Sequence, residues 1–243
     1  MGTISRRERP LSEMTREHVL SPLETAHTRA EREYGEVEAE QRAYTQFKER
    51  VSAIETGPAS PAQSMTAVRS VETPGRHSVE RLRSAFRETV MSVDHYDEFY
   101  GESLDEHAAA ELSPEIATLF QPEQTTTLTE PTKTVLIDAV DRAVSQRDVV
   151  LDTLEGEQNS LENSQTALAD LLDVYGEPRV VDRYRAEVEE QLDALAKARQ
   201  ETLRNRPSTA RVDGHDFCQY LYQDLEWTYP VLTALARFRR SLV

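Results

Sequence analysis

The chain has 243 residues, 38% apolar and 30% charged, with only eight glycines and a formal net charge of −16. So thin an apolar share suits helices that each bury a narrow seam, not a thick globular core, and neither G-x-G-x-x-G nor G-x-x-x-x-G-K-[ST] occurs to cradle a phosphate. Of the 28 basic residues only Lys48, Lys133 and Lys197 are lysine, the acid-rich, lysine-poor balance expected of a halophile, whose molar salt shrinks the Debye length to about 3 Å.

The same charge disfavours nucleic acid, because phosphate contacts need basic patches and weaken with salt. No apolar run approaches the length of a membrane span. Cys218 is the single cysteine, which excludes an intrachain disulfide and a cysteine-cluster zinc site. "SRRERPL" at residues 5–11 is followed by "SEMTREHV", where an export signal needs an apolar segment. The expected location is the cytoplasm, with no cofactor.

Residues 1–20 are expected to be a flexible leader, followed by one all-α domain over 21–243. Ser21, Pro22 and Glu24 form a helix-start signal: a capping Ser, Pro in the first turn and Glu three after the cap. Leu23, Ala30, Val37, Tyr44 and Val51 then recur every seven residues, with Ala26, Phe47 and Ile54 between them. Glu33 and Glu40 interrupt this seam. The spacing predicts a helix over about 22–55, stopped by Gly57 and Pro58.

Three prolines and two glycines make 56–77 a mobile linker. Helices are expected over 78–121. Val79, Leu82, Phe86 and Val90 share a face, and the stripe can continue through Val93, Tyr96, Tyr100 and Leu104, with a possible break at Asp94. "SPEI" at 113–116 starts a short helix.

A long hairpin is expected over 131–206. Val140, Leu154, Leu161, Leu168 and Tyr175 occupy one heptad position, with Arg147 as the exception, and Ala143, Val150 and Leu171 occupy the other. Gly176 and Pro178 permit the reversal, and Val181, Tyr184, Val188, Leu192, Leu195 and Leu203 line the return helix. Aromatic helices over 214–242 follow, with Pro230 kinking or restarting them. The fold class is all-α: an elongated antiparallel coiled-coil hairpin or bundle with shorter packing helices.

"RETVMSVDHYDEFYGESL", "EGEQNSLE", "KARQETL" and "YLYQDLEWTYPVL" together resemble segments of a haloarchaeal family of acidic helical proteins, a domain of unknown function. The likeness runs through nearly the whole chain after residue 15. It implies helical coiled-coil character and a haloarchaeal source, and brings no activity, cofactor or catalytic residue.

His95, Glu98 and Glu102 lie three and four residues apart, and would share one helix face as metal ligands or an acid/base pair might. Glu24 and His27 supply one Glu-x-x-His, whereas a dinuclear bundle site needs two. Capping and solvation explain the same residues at less cost: Glu24 offsets a helix dipole, Asp94 is a natural cap, and Asp97 and Glu98 are first-turn acids. Cys218, with His215 three residues before it, is read as a small core residue. Tyr220, Tyr222, Trp227 and Tyr229 are the candidate partner-binding residues, although docking of these aromatics inside the chain is the favoured alternative. The function expected is a noncatalytic helical scaffold or interaction protein, binding a protein partner or a second copy through helix faces. The alternative is a small-ligand or metal-binding bundle, an enzyme or a simple binder, using the 94–102 region.

Overall fold

A computed structural model describes residues 11–57, 74–121, 127–175, 178–205 and 216–242. The described residues form helices and turns, with no strand among them. Among the described residues nine α-helices follow in order: α1 (Leu11–Ser52), α2 (Pro74–Thr89), α3 (Tyr96–Phe99), α4 (Leu104–Glu111), α5 (Pro114–Ala117), α6 (Glu130–Tyr175), α7 (Pro178–Arg204), α8 (Phe217–Leu221) and α9 (Pro230–Ser241). Contacts divide the chain into two compact units, Met1–Tyr34 with Asp152–Val243, and Gly35–Leu151. Helices α1 and α6 contribute residues to both.

The fold class expected from the seams is what forms, an all-α protein whose long helices α1 and α6 pack against each other. In the second unit Lys48 meets Asp141 and Gln41 meets Asp148, an antiparallel register. In the first unit Arg16 meets Asp173, in the same sense. Leu23, Ala30, Val37, Tyr44 and Val51 are all buried, as are Val140, Leu154, Leu161, Leu168 and Tyr175. Each fully buried leucine of this kind contributes about 1.5–3 kcal/mol of transfer free energy.

Helix α1 does not start at Ser21. It begins at Leu11 and carries Pro22 in its interior, so residues 11–20 are helix, with Val19 and Leu20 buried. Proline has no N–H to give the carbonyl four residues back. That carbonyl belongs to His18, and it accepts instead from Arg237 Nη1 at 2.9 Å and from Ser21 Oγ at 3.4 Å. A donor from α9 therefore lets the helix run through what reads locally as a start. The remainder of the expected leader lies outside the described residues.

The second unit has an aromatic centre. Phe86 of α2 stands edge-on to Phe47 of α1, ring centroids 5.0 Å apart, and lies 4.9 Å from Phe120, within the favourable range for such pairs. Most of the expected linker, residues 58–73, lies outside the described residues, while 74–77 already belong to α2. The stripe after Val90 is not one helix. A 3-10 turn spans Val90–Ser92, Val93 is extended (φ −67°, ψ 142°), and α3 begins only at Tyr96. Gly101, at φ 56°, closes α3 in the left-handed region that side chains disfavour. Helix α4 opens with a capping box in which Glu106 accepts from the Ser103 N–H at 2.9 Å. Ser113 caps α5 by accepting from Ile116 N at 3.2 Å.

In the first unit α6 and α7 run antiparallel, Tyr184 opposite Tyr175 and Arg199 opposite Glu157. The expected Gly176 turn lies outside the described residues. Helix α7 departs from helical geometry at Tyr184 (φ −117°, ψ 15°). Pro230 restarts the chain as the first residue of α9, where its missing N–H leaves nothing unsatisfied. Among the described residues no helix is long and apolar enough to cross a membrane.

Candidate functional site

In the second unit charged and polar side chains converge between helices. Arg147 of α6 donates from Nε to Glu40 Oε2 and from Nη2 to Glu111 Oε2, each at 2.9 Å. Its guanidinium carbon sits 4.4 Å above the Tyr44 ring, a cation–π placement. The other Glu40 oxygen accepts from the Tyr100 hydroxyl at 2.9 Å and faces His95 Nε2 at 3.0 Å. His107 lies beneath them: its Nε2 is 3.3 Å from the Tyr44 hydroxyl and its Nδ1 is 3.3 Å from Glu102 Oε2. The tautomer that serves both is neutral with the proton on Nδ1, accepting from Tyr44 and donating to Glu102.

The electrostatics hold these groups in one state. Burial alone would lower the Arg147 pKa, but Glu111 and Glu40 outweigh it and keep the guanidinium charged. Burial, then Glu111, pushes the Tyr44 hydroxyl well above its ordinary value, and burial with Glu40 does the same for Tyr100. Burial pulls His107 below its ordinary value against the opposing pull of Glu111 and Glu102. Arg147 and Tyr44 with Tyr96, Tyr100, Val90 and Val93 close around a gap too small for water. Such an arrangement ties α1, α3, α4 and α6 together.

The first unit carries a second polar centre. Arg199 of α7 donates from Nη1 and Nη2 to the two oxygens of Glu157, at 2.9 and 2.7 Å, and from Nη1 to Ser160 Oγ at 2.8 Å. The Tyr222 hydroxyl donates to Glu157 Oε1 at 2.7 Å. Burial, then Glu157, raises the Tyr222 pKa far above that of a free phenol. Nearby, Tyr220 donates to Glu33, which also pairs with Arg29 at 3.4 Å.

Beside α9 the surface opens into a groove of about 520 Å3, with Trp227, Tyr229, Leu232, Arg237 and Arg240 among its walls. Tyr229 is 41% exposed. Trp227 is half-buried, its ring 6.0 Å from that of Tyr222.

The sequence model of one protein family, described as Domain of unknown function (DUF7260), matches residues 21–243. The chain belongs to this family. No curated protein and no solved structure matches it. The Arg147 cluster, the Arg199 cluster and the α9 groove all fall inside the DUF7260 match.

Of the sequence candidates, His95 and Glu102 enter the buried cluster of this DUF7260 domain, one through Glu40 and the other through His107. Glu98 is exposed on α3 and shares no helix face with either, because α3 spans only Tyr96–Phe99. Asp94 is exposed and precedes His95, which occupies the cap position of α3. Phe99 is 48% exposed. Glu24 and His27 belong to the other unit, where Glu24 is exposed and His27 lies 3.5 Å from Glu31. Among the described residues no group of three His, Cys, Asp or Glu side chains is placed to hold a metal ion. His215 lies outside the described residues, and Cys218 is buried. Tyr222 is buried and Tyr220 is tied to Glu33, leaving Trp227 and Tyr229 of the four aromatic candidates facing the groove. Glu40, Glu111, His107, Glu157 and Arg199 were not singled out as site residues from sequence.

Proposed function

We propose that this chain is a noncatalytic helical interaction protein, working in the cytoplasm of a halophile and holding a protein partner or a second copy through a helix face. The observation that carries the reading is the open groove beside α9, with an aromatic wall of Trp227 and Tyr229. Tryptophan, tyrosine and arginine are the side chains that most often dominate binding energy, and this groove has all three. The lysine-poor composition and net charge of −16 support the salt-loaded setting.

The ligand-binding alternative at residues 94–102 draws on the convergence of His95, Tyr100 and Arg147 on Glu40. It has less support, because those groups already satisfy one another around a gap too small for water.

The test is capture from a haloarchaeal lysate in molar KCl, with the wild-type chain and with Tyr229→Ala. The reading expects a reproducible partner, or the chain itself, retained by the first and lost by the second. Identical recovery with both, or none with either, overturns it.

A further inference from the structure

Two kinds of side chain face the groove beside α9. Trp227, Tyr229 and Leu232 give it an apolar wall, while Arg237 and Arg240 give it a cationic edge with Glu226 as the carboxylate in the lining. Positions 229, 233, 237 and 240 are three and four residues apart, the stripe that an α-helix turns to one side. In a chain of net charge −16, a lining of two arginines and one acid is locally cationic.

Among the described residues neither arginine is paired with a carboxylate. Arg237 donates to the His18 carbonyl at 2.9 Å and the Ser21 hydroxyl at 3.0 Å, both neutral acceptors. Arg240 is exposed. Arg239, which is not part of the lining, pairs with Asp193. The wall is also held in place before anything binds. Trp227 packs on Tyr222, and the Tyr222 hydroxyl is anchored on the fully buried Glu157. An anchor already ordered loses little side-chain freedom on binding.

We propose that the groove takes a short acidic segment of a partner protein, with an apolar side chain against Trp227 and Tyr229 and carboxylates on Arg237 and Arg240. The proposal deepens the interaction reading above and rests on it. Guanidinium groups favour carboxylates through charge-assisted and bidentate hydrogen bonds. A short segment supplies the few charges the edge can use. A nucleic acid brings a continuous line of phosphates against a molecule of net charge −16, whose field opposes its approach.

Trp227 is the chain's single tryptophan, so its emission reports occupancy of the groove. The full chain is titrated with a synthetic peptide carrying leucine at i and i+4 and glutamate at the flanking positions. The buffer is the lowest KCl that keeps the full helical circular dichroism signal. A saturable emission change is expected, weakening as KCl is added. Arg240→Glu weakens it about tenfold, Tyr229→Ala abolishes it, and a peptide with lysine for every glutamate binds at least about tenfold more weakly. Circular dichroism checks each variant, and Arg240→Gln replaces Arg240→Glu if the latter loses helicity.

No saturable change at millimolar peptide overturns the proposal, as does equal binding of the lysine peptide or indifference to Arg240→Glu. Tighter binding of a thymidine oligonucleotide overturns it in favour of a polyanion. An emission change on concentrating the chain alone overturns it in favour of a second copy. The interaction reading outlives each of these if lysate capture still depends on Tyr229, and falls if Tyr229→Ala captures as the wild type does.

Discussion

Arg199 and Glu157 form a two-pronged ion pair at 2.7 and 2.9 Å, with 1% and 0% of their side chains exposed. Both side chains are shut off from the surface, and Tyr222 and Ser160 add hydrogen bonds to Glu157 and Arg199 respectively. Removing one charge strands the other in a dry interior, which costs about 3–5 kcal/mol, whereas replacing both with apolar side chains of similar volume is often neutral or stabilising. Arg199→Met and Glu157→Leu are each expected to lose that amount in urea denaturation, and the double variant far less than the sum. Additive losses would mean that the two side chains do not act as a pair.

Pro22 and Arg237 should couple through the His18 carbonyl. Arg237→Ala removes the guanidinium bond to an oxygen that Pro22 cannot serve, a loss of about 1–3 kcal/mol. In a Pro22→Ala background the new N–H can close the helical bond to His18, so the same Arg237→Ala change should cost less. Thermal unfolding of the four proteins in this cycle gives the coupling, expected at about 1 kcal/mol. A cost of Arg237→Ala that is the same in both backgrounds would refute the compensation.

The helices were legible in the sequence because their seams are long and regular. The buried clusters are found where those seams lapse. Glu33 and Glu40 interrupt the α1 seam and Arg147 interrupts that of α6, and these are the residues that take Tyr220 and Arg29, or one another, as partners. Glu157 falls seven residues after Val150, and Arg199 falls seven after Leu192. A charge on a core register is a stronger signal than the i, i+3, i+7 spacing of His95, Glu98 and Glu102, which acids produce readily in so acidic a chain. The break after Ser92 was less legible, because apolar residues continue through it at helical spacing. Likewise, the helix-start chemistry of Ser21 and Pro22 is a local signal, and the donor that overrides it sits more than two hundred residues away in sequence.

His107 should give this fold a stability that declines on mild acidification. Its folded pKa is depressed by burial, with Glu111 and Glu102 opposing, relative to an unfolded value of about 6.5. As pH falls through that unfolded value, the unfolded chain takes up a proton that the native imidazole still refuses. Stability from this group is therefore complete above about pH 6.5 and is lost downward until the native pKa is passed. The titratable and charged groups around the ring are Tyr44 from α1, Tyr96 and Tyr100 from the α3 segment, Glu102 ahead of α4, Glu111 of α4, and Arg147 from α6. The slope from one such group is at most about 1.4 kcal/mol per pH unit. Urea denaturation at about pH 7.5 and about pH 5 should show wild type losing more than His107→Gln, which cannot titrate. Equal losses in the two proteins would exclude His107 as the source, and a wild type that gains stability toward acid would reverse the sign of its depressed pKa.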